Sequence, residues 1–126
     1  MYRVSLLLTI IIKLIAICPT LAKANQEDLQ LGARYSTDGT KAEFFIYSSK
    51  ALRIEVCLFN EPLGQTERIA YPLIKSSSNI WIIAIPLSEI RSHGVNDTLF
   101  YGYRAWGPNW PYLATWTKGG AVGFKS

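Results

Sequence analysis

From Leu31 onward, apolar and polar positions alternate in short runs broken by turn residues, the period of half-buried β-strands. Leu31–Tyr35 and Lys41–Tyr47 flank Ser36-Thr37-Asp38-Gly39-Thr40. Asp-Gly between two apolar runs marks a hairpin, because glycine accepts positive φ without a Cβ clash. In Leu52–Phe59, the side chains of Leu52, Ile54, Val56 and Leu58 fall on one face, and Arg53, Glu55 and Cys57 on the other. That alternation predicts a strand with one buried face and one largely wet one. Asn60-Glu61-Pro62-Leu63-Gly64 breaks the run, Glu67–Ile74 reads as the next strand, and Lys75–Asn79 as a serine-rich turn. Ile80–Ile85 carries no charge and ends at Pro86, which cannot donate to a ladder. Ser88-Glu89-Ile90-Arg91 fits one helical turn, and Thr98–Trp106 is the last clear strand. No stretch sustains helical periodicity over several turns, and no internal repeat is evident. The expectation is all-β: a single β-sandwich of about seven short antiparallel strands.

Two segments fall outside this pattern. Met1–Ala24 begins with Arg3, runs apolar from Val4 to Ile17, and ends in Pro19 and Ala22-Lys23-Ala24. Small residues before the boundary match the A-x-A cleavage preference, so residues 1–24 read as an export signal cleaved after Ala24, giving a secreted or periplasmic product. The competing reading is an uncleaved membrane anchor, with Lys13 as a charge inside the apolar stretch. Residues 25–30 form a polar lead-in and residues 31–107 the sandwich. The second segment, 108–126, lacks strand alternation, yet Trp110, Tyr112, Trp116 and Phe124 make it too aromatic for a linker. Eight of the fifteen aromatics that follow residue 24 lie after Asp97. They require a surface to pack on, either the sandwich itself or something else.

Composition changes the picture mainly through charge. The chain has 126 residues and a formal net charge of +4, from 13 bases and 9 acids. Arg3, Lys13 and Lys23 all lie in the first 24 residues, which hold no acid, so the remainder carries +1. A near-neutral exported module argues against nucleic acid as a partner, although Tyr101 to Trp106 interleaves aromatics with a base. Cys57 is the single cysteine after residue 24, so the module has no internal disulfide and stands on its core.

Candidate chemistry is sparse. One histidine, His93, and one cysteine supply neither a catalytic triad nor a metal ligand set, so no catalytic residue, metal or cofactor is assigned. The carboxylates read as solvated residues at turns or on wet strand faces, and no pair across a cleft suggests glycoside hydrolysis. Gly119-Gly120-Ala121-Val122-Gly123 lacks the Lys-Ser/Thr of a phosphate loop. Asn96-Asp97-Thr98 fits the glycosylation sequon.

Leu31-Gly32-Ala33-Arg34-Tyr35, Tyr47-Ser48-Ser49, Ala51-Leu52-Arg53-Ile54 and, above all, Tyr101-Gly102-Tyr103-Arg104-Ala105-Trp106-Gly107-Pro108-Asn109-Trp110-Pro111-Tyr112 resemble the N-terminal module of secreted bacterial isoamylases. Related glycogen debranching enzymes carry a Y-x-Y-R-x-x-G-P element at that place. The resemblance covers roughly Leu31 to Phe124 and implies an immunoglobulin-like sandwich of the family 48 carbohydrate-binding type. In that family the module precedes an α-amylase-type barrel (glycoside hydrolase family 13) that hydrolyses α-1,6 branch linkages of glycogen and amylopectin. The family's catalytic carboxylates belong to the barrel, which residues 1–126 do not contain, so none carries over. The implied role is a non-catalytic module, a fragment of such an enzyme, packing against the barrel. A free-standing α-glucan-binding domain is the alternative. Tyr101, Tyr103, Arg104, Trp106, Trp110, Tyr112 and Trp116 are the residues expected to contact sugar or barrel.

Overall fold

A computed structural model describes residues 30–125. The expected export signal and nearly all of the polar lead-in lie outside the described residues. Seven strands and one short helix follow in order: β1 (Gly32–Tyr35), β2 (Lys41–Tyr47), β3 (Arg53–Phe59), β4 (Ile69–Pro72), β5 (Ile74–Lys75), β6 (Ile80–Pro86), α1 (Leu87–Ser92) and β7 (Phe100–Trp106). They form two antiparallel sheets, one ordered β1-β2-β6-β5 and the other β4-β3-β7. The all-β expectation holds, and the helical turn expected around Ser88–Arg91 is α1.

Local chemistry explains the first hairpin. Gly39 takes φ 68° at the turn between β1 and β2. The Asp38 carboxylate accepts the Ser36 hydroxyl at 2.6 Å, the Thr40 N–H at 3.0 Å and the Thr40 hydroxyl at 2.8 Å. These donors, Ser36 first, hold the Asp38 carboxyl down to about 2.

The core lies between the sheets. Ala42 and Phe44 from β2, Ile54, Val56 and Leu58 from β3, and Trp81 and Ile85 from β6 are buried together, with Ile90 of α1 and Val95 closing one end. Each large apolar side chain buried this way contributes about 1.5–3 kcal/mol. The Trp81 indole N–H donates to the Ser48 carbonyl at 3.0 Å, so its polar atom is satisfied inside the sandwich.

Three expectations are corrected. Glu67–Ile74 is not one strand: β4 pairs with β3 and β5 with β6, so the chain changes sheets at Leu73. Pro72 has no N–H to continue a ladder, and the buried Leu73 donates its own N–H to the Ile54 carbonyl at 2.9 Å. Leu52 does not join the buried face of β3; it precedes the strand and is 62% exposed. The opposite face of β3 is not wet. Glu55 is 7% and Cys57 4% exposed, because residues 107–125 fold back over this face and carry aromatic side chains onto it.

Candidate functional site

The register of β3 and β7 sorts the seven expected contact residues onto two surfaces. Ile54 faces Ala105, Val56 faces Tyr103 and Leu58 faces Tyr101, so both tyrosines share the side of the core. Tyr103 packs against that core, and burial pushes its phenol up to about 12. Tyr101 lies at the open margin, its ring edge-on to Phe44 at 5.3 Å between centroids and to Tyr103 at 5.7 Å. Arg53 faces Trp106 and Glu55 faces Arg104 on the other side of the sheet. There the tail brings up Tyr112 and Trp116, whose rings stand edge-on to Trp106 at 5.0 and 5.1 Å.

A chain of charges runs beneath these rings. Arg53 donates to Glu55 Oε1 at 2.6 Å, and Arg104 donates to Glu55 Oε2 at 2.8 Å. Arg104 also donates to Glu67 Oε1 at 3.1 Å, and the Lys118 ammonium pairs with Glu67 Oε2. The guanidinium of Arg53 lies 4.2 Å from the Tyr112 ring centroid and that of Arg104 4.6 Å from Trp116. Burial would raise the Glu67 carboxyl, but the hydrogen bonds from Lys118, from its own backbone N–H and from Arg104 outweigh it and hold the group below its ordinary value. Burial would lower the Arg104 guanidinium, and Glu55 and Glu67 reverse that, keeping it firmly charged. Burial pushes the Cys57 thiol beside this network up.

The tail itself is a closed loop rather than a linker. Gly107 and Trp110 form an isolated bridge, the Trp110 indole donates to the Val122 carbonyl at 2.8 Å, and the Lys125 N–H donates to the Asn109 carbonyl at 2.7 Å. Trp116 donates to the Gly120 carbonyl at 3.0 Å. Gly123 takes φ 85°, and a Cβ there would meet Leu113 at 3.1 Å and the Pro111 carbonyl at 3.2 Å. The glycine-rich stretch therefore serves backbone close approach.

This arrangement separates scaffold from surface. Trp106, 2% exposed, has no face to offer a ligand, and Trp116 is half-buried against it. Trp110 is half-buried too, edge-on to Phe124 at 5.9 Å. Tyr112, Leu113, Val122 and Phe124 remain 40–58% exposed on the outside of the loop. Glu55, Glu67, Arg53 and Lys118 escaped the sequence reading. One signal pointed to the first of them: Glu55 precedes four apolar residues, Val56 to Phe59, and a carboxylate in such a strand needs a cation to be buried.

Residues 30–118 match the model of carbohydrate-binding module 48, the isoamylase N-terminal domain. The chain belongs to this family. Over 99 residues it is 46% identical to an isoamylase of Flavobacterium, covering 77% of this chain and 13% of that protein. Over 105 residues it is 40% identical to the isoamylase of Pseudomonas amyloderamosa, covering 83% and 14%. The chain thus spans about one seventh of the length of these relatives. The catalytic module of the glycogen-degrading pneumococcal virulence factor SpuA shares the fold, with a TM-score of 0.52 and 17% identity over 63% of this chain and 11% of that one. In this family 48 module, the Tyr101–Tyr112 segment that carried the sequence resemblance is the part that turns the corner from β7 into the tail.

Proposed function

We propose that this module serves an isoamylase-like enzyme that hydrolyses α-1,6 branch linkages of glycogen and amylopectin, as a non-catalytic part that packs against the catalytic barrel. The observation that carries the reading is the division within the tail. The rings of Trp106 and Trp116 are spent on anchoring the loop, and the loop then presents Tyr112, Leu113, Val122 and Phe124 outward. An apolar surface held in place by ring contacts and the Lys118–Glu67 pair suits a fixed protein neighbour better than a mobile sugar chain. Identity of 46% to an isoamylase supports the choice of enzyme.

Electrophoresis of the purified chain in gels containing glycogen or amylopectin tests the reading. Mobility equal to that in a blank gel is the expected result, together with no release of linear chains from a branched glucan. Retardation abolished by Trp110→Ala would overturn it in favour of a glucan-binding module. That second reading has one observation behind it: the Val122 hydrogen bond fixes the Trp110 ring while leaving it half-exposed.

A further inference from the structure

The strand order leaves one position of an immunoglobulin-type sandwich open. In that arrangement one sheet holds the strands A, B, E and D, and the other sheet continues from C through F to a last strand, G. The order β1-β2-β6-β5 reproduces the first sheet, and β4-β3-β7 reproduces the second as far as F. Beyond β7 no strand among the described residues pairs with its outer edge. The tail does not turn back along β7. It is diverted at Gly107–Trp110 and pinned across the outer face of the sheet by Trp116 and Lys118.

The inner side of this edge is correspondingly unfilled. A cleft of about 290 Å³ and another of about 210 Å³ adjoin along the seam between β1 and β7, sharing Tyr35 and Leu99. The smaller is walled by Ala33, Ala42, Phe44 and Tyr101 as well. Ala105, whose side chain shares the inner face with Ile54, is exposed, and Tyr35 and Tyr101 are 57% and 43% exposed. An edge seven residues long, without proline and with one charge, Arg104, is an uncommonly open template for strand addition.

We propose that the free edge of β7, with the Tyr35–Leu99–Tyr101 cleft beside it, accepts an extended polypeptide strand that runs antiparallel to β7 and points apolar side chains at alternate positions into the cleft. A second copy of this chain fits less well. Its β7 would bring Tyr101 and Tyr103, whose rings are engaged in their own sandwich, and would leave the cleft empty. The isoamylase relatives run about six times the length of this chain, so in them further polypeptide is at hand to supply the strand.

Amide hydrogen exchange on the full chain, read alongside its mass in solution, tests this. The probe is a capped peptide of alternating threonine and valine with a lysine at each end, and the control replaces its central valine with proline. The alternate β7 amides that point away from β3 are expected to exchange rapidly in the monomeric chain. They should slow about tenfold when the probe is present at about ten times its Kd, and not with the control. Tyr101→Asp, at a half-exposed position, should leave the fold intact and weaken the probe at least about tenfold. Edge amides already protected in a monomer, or protected in a dimer, would overturn the proposal, as would unprotected amides that the probe does not slow.

Discussion

On the inner face of the β4-β3-β7 sheet, Ile54, Val56 and Leu58 are 0–1% exposed and pack among apolar and aromatic neighbours. One residue along, on the outer face, Glu55 and Cys57 are almost as deeply covered, by a loop held through ring edges and the Lys118–Glu67 pair, with Glu55 itself paired to Arg53 and Arg104. The same strand therefore buries both its faces with different chemistry. The inner face draws on strand alternation, and any apolar side chain of suitable size satisfies it. The outer face depends on partners that lie 37, 49 and 51 residues away, and each buried charge must find its own. Hydrophobic burial drives collapse of the sandwich, whereas ring edges, guanidinium–ring contacts and the Lys118–Glu67 pair dictate where the tail is placed on it.

The sharpest way to break the comparison is to put a charge on the wrong face. Val56→Asp leaves an unpaired carboxylate among apolar atoms and should cost about 5 kcal/mol or more, comparable with the whole stability of a domain. The expected result is loss of near-ultraviolet circular dichroism and of a cooperative urea transition. A folded Val56→Asp protein would show that the inner face is no stricter than the outer.

Glu55→Ala should come next, at about 2–3 kcal/mol, because it takes the carboxylate partner from Arg53 and leaves Arg104 with Glu67 alone. Urea midpoints measure it. The double variant Glu55→Met with Arg104→Met should cost clearly less than the sum of the single changes, since the two side chains share one ion pair that either single change already breaks. Strict additivity would mean that the pair contributes nothing specific, and that the outer face is held by its rings alone.

The sequence made one face legible and hid the other for a physical reason. Alternation in Leu52–Phe59, the Asp38-Gly39 turn and the proline that ends β6 are local signals, and they delivered the strands and the all-β class. The sheet change at Leu73 was not visible, because β4 and β5 form one apolar run broken by a single proline whose effect depends on which strands lie alongside. The burial of Glu55 was at most hinted at by the apolar run beside it: alternation records that a position is polar, not that Arg104 sits opposite it and Glu67 and Lys118 beyond. The aromatic density after Asp97 did signal a need for a surface, and for Trp106 and Trp116 the sandwich itself is that surface.

Trp116→Ala asks how far the tail can be released without disturbing the core. It removes the ring edge on Trp106 and the stacking of Arg104, together about 1–2 kcal/mol. The expected outcome is a red shift of the remaining tryptophan emission and rapid exchange of the Lys125 amide, with the amides of β2 and β6 still protected. Loss of protection in β2 and β6 along with the tail would show the two faces to be one cooperative unit.

The smallest effect separates the faces by pH. The Glu67 carboxyl lies below its ordinary value of 4.5 in the folded chain, so the unfolded state binds the proton more readily. Its contribution is therefore complete above about pH 5.5 and disappears as pH falls through the ordinary glutamate range and below it. On the inner face, Ile54, Val56 and Leu58 carry no titratable group. Tail amides should lose protection on acidification before core amides do. Lys118→Met removes the more exposed of the two cations on Glu67, and should cost under about 1 kcal/mol at neutral pH. Its signature is a shift of the acid transition of the tail toward higher pH, because the Glu67 carboxyl then keeps only its own backbone N–H and Arg104 to hold it ionised. An unchanged transition would assign the acid sensitivity of the tail to another carboxylate.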